Sequence, residues 1–107
     1  MNALNQLFLI IKKNKNKSHK LSYTSYIFKK GINFSIKKFM EESKEFSTAS
    51  KKRSKKNIIY EAADLLYHFL VLLEFRKISI TSVMKELKKR QKISGIQEKK
   101  NRKINVR

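Results

Sequence analysis

The chain contains no proline, and its only glycines are Gly31 and Gly95. Strand-and-turn folds need frequent turn residues, so this scarcity argues against an all-β domain and rules out a glycine-rich phosphate loop. Helices joined by short connections remain. A length of 107 residues is one ordinary domain, and 40% hydrophobic residues suffice to bury a core.

Five helices are predicted. The first spans about Ala3–Lys13, followed by a basic connector from Asn14 to Lys20. Ser22 or Thr24 caps a short second helix that stops at Gly31. Asn33 or Ser35 starts a third, running to about Lys52. The basic turn at 51–56 suits the negative end of that helix. The fourth covers about Lys55–Arg76, and the fifth runs from Ser79 or Thr81 to about Gln91. Short connections make neighbouring helices antiparallel. The domain reads as residues 1–95, with a basic tail at 96–107. The fourth helix is apolar on nearly every side between Ile58 and Leu73, so it is expected to be buried. A five-helix monomer has too little mass to cover such a helix, which predicts a homodimer.

Twenty-seven Lys and Arg against eight Asp and Glu leave a formal charge of +19. That excess points to a polyanionic partner such as nucleic acid. Lysine supplies 22 of the 27, however, and arginine is the better reader of bases and phosphates. Lys, Asn and Ile also share AT-rich codons, so a biased base composition accounts for the same excess, and both readings stay open. No segment reaches the roughly 18–20 apolar residues of a membrane span. The apolar start, Leu4–Ile11, precedes its lysines, the reverse of a secretory signal. The expected location is cytoplasmic, with no membrane partner.

Five of the eight acids fall between positions 41 and 64: Glu41, Glu42, Glu45, Glu61 and Asp64. On a helical wheel Glu45 lies about 40° and Glu42 about 100° from Glu41, while Ile36, Phe39, Met40 and Phe46 fall between about 140° and 260°. The third helix thus has an acidic face and a core face. In the fourth, Asn57, Glu61, Asp64 and His68 share a stripe roughly 60° wide. Read alone, Glu41, Glu42 and Glu45 suit a solvated face or i,i+4 partners for lysine. Glu61 and Asp64 in an apolar helix do not, because buried carboxylates need compensation. Taken together, the five acids make a ligand set for a hard divalent cation. No Cys and only two His favour Mg²⁺, or Mn²⁺, over zinc.

The run from Glu61 to Leu73, EAADLLYHFLVLL, closely resembles the signature helix of the phosphoribosyl-ATP pyrophosphatases, the second enzymes of histidine biosynthesis. Ser22-Tyr-Thr24 resembles that family's Ser-Tyr-Thr. Lys38-Phe-Met-Glu-Glu-Ser-Lys-Glu45 is similar to its Lys-Val-Gly-Glu-Glu-x-x-Glu. Leu87–Arg90 and Ile93–Gly95 resemble its closing Leu-x-x-Arg and Ile-Ser-Gly. The resemblance covers roughly residues 4 to 100. It implies an all-α bundle of the MazG-like type, a homodimer, and Mg²⁺-dependent hydrolysis of phosphoribosyl-ATP to phosphoribosyl-AMP and pyrophosphate. By position, Glu41, Glu42, Glu45, Glu61 and Asp64 become the metal and catalytic set, with Glu42 or Glu45 orienting the attacking water. A separate chain must supply the phosphoribosyl-AMP cyclohydrolase, since there is no room for that domain and no Cys for its zinc.

His68 follows Asp64 by one turn, as partner to that carboxylate or as a packing histidine. Lys38 and Arg90 are candidate phosphate contacts, against a surface role for Lys38 and an ion pair for Arg90. Tyr23 is a candidate substrate contact, against a core role. Two positions depart from the family pattern. Met40 stands at the usual Gly and is expected to displace something beside the metal site. Tyr26 stands where Lys commonly follows Ser-Tyr-Thr, at the cost of a phosphate contact. The alternatives are a general MazG-type nucleoside triphosphate pyrophosphatase, which uses the same acids, and a non-enzymatic nucleic-acid binder. No nucleic acid is expected as partner on the preferred reading.

Overall fold

The computed structural model describes residues 2–18, 20 and 22–92; the Ile-Ser-Gly at 93–95 and the tail at 96–107 lie outside them. The described chain is all-α, in the order α1 (Ala3–Asn14), α2 (Tyr23–Lys30), α3 (Ile32–Lys52), α4 (Lys55–Phe75) and α5 (Ile80–Arg90). Four helices begin at side-chain caps. Asn2 accepts from the Asn5 amide, Ser22 from Ser25, Ser54 from Asn57 and Ser79 from Ser82. Each cap satisfies an orphan amide in the first turn.

The third helix begins differently from expectation. Neither Asn33 nor Ser35 caps it; Gly31 ends α2 and starts α3 by itself, with φ 104° and ψ 172°. That combination is essentially confined to glycine. A Cβ there would meet nothing within 4 Å, so the requirement is backbone conformation and not space. Gly31→Ala is therefore expected to cost about 2 kcal/mol, read as a lower urea midpoint with an unchanged slope. The end of α4 shows the opposite economy. Lys77 sits at φ 57°, the Ile78 amide donates to the Leu73 carbonyl and the Lys77 amide to the Glu74 carbonyl. This is a Schellman ending with lysine at the left-handed position where glycine is usual.

The core joins Phe8 and Ile11 of α1, Ile27 of α2, Leu70 and Val71 of α4 and Ile80 of α5. Phe28 stacks on Phe75 at 4.2 Å between centroids. These contacts collect at the C-terminal half of α4. Its N-terminal half packs along α3, joined to it by the Arg53–Ser54 turn. This corrects the expectation that α4 is buried throughout. Ile59 and Tyr60 are more than two-thirds exposed, and Leu66 is also exposed. On α3, Ile36 and Met40 are exposed too, although the wheel placed them with the core. The two faces do not separate cleanly on α3: Ile36 and Met40 line one surface hollow with Glu41, while Phe39 meets Phe69 of α4 at 6.4 Å between ring centroids.

One buried ion cluster was not foreseen. Glu74 is 2% exposed. Its carboxylate accepts from Lys15 Nζ at 2.5 Å and pairs with Lys12 Nζ at 3.7 Å, tying the end of α4 to the end of α1.

Candidate metal and phosphate site

Two long antiparallel helices joined by a tight turn must place residues opposite one another by reflection through that turn. Arg53 is the centre of reflection: position 42 meets 64, and 45 meets 61. Glu42, Asp64 and His68 each offer a ligand atom, and these atoms all lie within 4.8 Å of one another. His68 Nε2 stands 3.9 Å from Glu42 Oε1. One turn towards Arg53, Glu45 and Glu61 line a cavity of about 340 Å³ with Thr48, Arg53, Asn57 and Tyr60.

The electrostatics mark this cluster as short of positive charge. Burial pushes the Glu42 carboxyl above its ordinary range, and the neighbouring Asp64 and Glu61 push it further, against the pull of Lys38. His68 is 2% exposed, and burial holds its pKa below the usual value despite Asp64. Its Nδ1 has no hydrogen-bond partner among the described residues. Two carboxylates and an imidazole with ligand atoms within 4.8 Å of one another, one carboxyl raised by burial and by its acidic neighbours, fit a divalent cation. Glu42 and Asp64 are the oxygen donors Mg²⁺ or Mn²⁺ requires; the Nε2 donor is better tolerated by Mn²⁺.

The sign of the pH dependence follows. With its pKa raised on folding, Glu42 binds protons more tightly in the native protein than in the unfolded chain. Stability therefore falls as pH rises through the window between the ordinary glutamate value and the raised one. Thermal melts in chelator across that window are expected to show this decline. Glu42→Gln should flatten it, and a persistent slope in that variant would sink the assignment.

The other sequence candidates fall into place around the cluster or away from it. Glu41 turns to solvent, where Lys38 Nζ donates to its Oε1 at 3.2 Å; it is not among the three converging ligands. Lys38 is close enough to Tyr23 and Glu42 to alter their titration, the tyrosine being raised mainly by burial. Tyr23 is half-exposed and meets His68 edge-on at 6.1 Å. Arg90 lies on α5, its Nε donating to Glu86 Oε2 at 3.1 Å. Met40 is 66% exposed. Its side chain lines a surface hollow with Ile36, Lys37 and Glu41, so it intrudes on nothing at the Glu42–Asp64 cluster. The expected displacement does not occur, because Met40 leaves α3 on a face that no helix of the described residues covers.

Tyr67, not among the sequence candidates, packs against the cluster. Its hydroxyl and Thr24 Oγ1 lie 2.5 Å apart, and its ring meets His68 edge-on at 5.0 Å. The available signal was its place beside His68 in the Glu61–Leu73 run. Only the packing of α2 identifies Thr24 as its partner.

The profile described as "Phosphoribosyl-ATP pyrophosphohydrolase" matches residues 4–91. The chain is 43% identical over 89 residues to the phosphoribosyl-ATP pyrophosphatase of Ignicoccus hospitalis, covering 83% of this chain and 87% of that protein. It is 42% identical over 87 residues to the protein of the same name from Clostridium acetobutylicum, covering 81% and 79%. It is 52% identical over 82 residues to the histidine biosynthesis bifunctional protein HisIE of Wolinella succinogenes. That match takes in 77% of this chain but only 36% of the longer relative, so the chain spans about a third of its length.

Proposed function

We propose, because this chain belongs to the phosphoribosyl-ATP pyrophosphohydrolase family, that it hydrolyses phosphoribosyl-ATP to phosphoribosyl-AMP and pyrophosphate in histidine biosynthesis. The observation that carries the mechanism is the convergence of Glu42, Asp64 and His68 within 4.8 Å. Mg²⁺, or Mn²⁺, bound there would polarise the phosphates and offset the charge of the leaving pyrophosphate. Glu42 and Asp64 would hold it, with Glu45 and Glu61 supplying oxygens from the next turn and Glu41 from the solvent edge.

The reaction joins a water oxygen to the α-phosphorus and breaks the bond to the β-phosphate bridging oxygen, which leaves with pyrophosphate. Glu42, as an ionised carboxylate beside Asp64 and His68, would orient that water and take its proton. Glu45 is the alternative for this step. His68 would steady Asp64 or Glu42 from the buried side. Lys38, partly exposed beside Glu41 and Glu42, would meet a substrate phosphate, and Tyr23, edge-on to His68, would contact the substrate. Arg90 would exchange its exposed pair with Glu86, worth only a few tenths of a kcal/mol, for a substrate phosphate. The remaining lysines would raise the local concentration of an anionic substrate.

The test is pyrophosphate release from phosphoribosyl-ATP with and without Mg²⁺. Rapid turnover of ordinary nucleoside triphosphates, with none of phosphoribosyl-ATP, would replace this reading with a general triphosphate pyrophosphatase.

The exposed Ile59, Tyr60 and Leu66 of α4 support a homodimer, since apolar side chains of that size and number favour burial. Sedimentation is expected to give a dimer at micromolar concentration and a shift to monomer for Leu66→Glu. A wild-type monomer would refute it. Among the described residues no helix is long and apolar enough to cross a membrane. Action in the cytoplasm, with phosphoribosyl-AMP passing on to a cyclohydrolase activity, completes the proposal.

A further inference from the structure

Four aromatic rings run outward from the carboxylate cluster. Tyr67 is the innermost, against His68 and held by Thr24. Tyr23 stacks near-parallel to it at 6.3 Å and 23°. One helical turn further along α2, Tyr26 stacks on Tyr23 at 6.2 Å and 21°. Phe34 of α3 then meets Tyr26 edge-on at 5.8 Å. The two middle rings are 49% and 38% exposed, although each is held by other rings, stacked on one another and met edge-on by His68 and Phe34.

An aromatic ring fixed on a helix and left half in water is a ready stacking surface. Little side-chain freedom remains to be lost when a flat ligand covers it. The location matters as much as the exposure. Tyr23 feels the charges of Lys38, Glu42 and Asp64, so the platform begins beside the groups that would hold metal and phosphates.

We propose that Tyr23 and Tyr26 form a stacking platform for the purine of the nucleotide. The proposal rests on the nucleotide-hydrolysing reading given above. Its test uses AMP, adenosine and ribose 5-phosphate, none of which requires turnover.

In ligand-observed NMR titrations, the purine protons of AMP are expected to move upfield on binding, through the ring currents of the tyrosines. Tyr26→Leu should weaken AMP about tenfold, the loss of one stacked ring. Tyr26→Phe should bind AMP as wild type does, because stacking needs the ring and not the hydroxyl. Ribose 5-phosphate should bind all three proteins equally. If Tyr26→Leu fails to fold, Tyr26→Lys at the same half-exposed position replaces it, with phosphate-free adenosine as probe and the same weakening expected. In turnover, the loss in Tyr26→Leu should appear in KM and not in kcat. Equal AMP affinity for wild type and Tyr26→Leu would overturn the proposal, as would an equal loss for ribose 5-phosphate. Wild type inactive on phosphoribosyl-ATP would refute the function reading alone; the AMP titrations would still decide the platform.

Discussion

Asp64→Ala is expected to lower pyrophosphate release from phosphoribosyl-ATP by about 10³-fold while leaving the helical fold intact. Asp64 supplies one of three converging ligand atoms, and its carboxylate raises the proton affinity of Glu42. Removing it takes away a cation ligand and the charge that tunes the water-orienting group. Losing a single preorganised electrostatic contact typically costs 10²–10³ in rate, and a cation site left with one close carboxylate should lose Mg²⁺ as well. Stability without metal should not fall, because Asp64 is only partly buried and its like-charge contact with Glu42 is relieved. The readouts are pyrophosphate release, calorimetric Mg²⁺ titration and far-ultraviolet circular dichroism. A variant that keeps a tenth of the activity, or that unfolds, would sink the role assigned to Asp64.

Lys15→Met should be the most destabilising of the charge substitutions, by about 3 kcal/mol, or roughly 15 °C in Tm for a chain of this size. It removes the close partner of Glu74, whose side chain is 1% exposed, and leaves Lys12 at 3.7 Å and the more distant charge of Lys77. A buried carboxylate so deprived bears most of its desolvation cost uncompensated. Glu74→Leu should be far milder. The charge itself is then gone, the volume is kept, and both lysines can turn outward from the end of α1. Thermal unfolding of the two variants tests the contrast. Equal losses would mean that Glu74 acts through packing and not through its charge.

Glu74 also shows where sequence reasoning stops. Its partner lies 59 residues away. Nothing in a run of Leu, Val and Phe marks one glutamate as the end of a bridge to the first helix. The helix starts were legible because a cap is a local event: Ser22, Ser54 and Ser79 each reach an amide three residues on. The start of α3 was not, because Gly31 serves two helices at once and a single residue does not advertise both duties. Five acids were legible as a set through their helical spacing. Their division was not, with Glu42 and Asp64 converging on His68, Glu45 and Glu61 facing a cavity, and Glu41 turned to Lys38.

The sequence by itself determined the helices, their order and the placing of carboxylates on one stretch of the third helix and one stripe of the fourth. All of these depend on neighbours within a turn or on a periodic pattern. The tertiary structure decided which carboxylates meet, that His68 is buried against them, that Met40 points away, and that half of α4 is left uncovered. Those outcomes depend on the register of the α3–α4 hairpin and on where α1, α2 and α5 gather. Contacts between distant segments set both, and no local spacing encodes them.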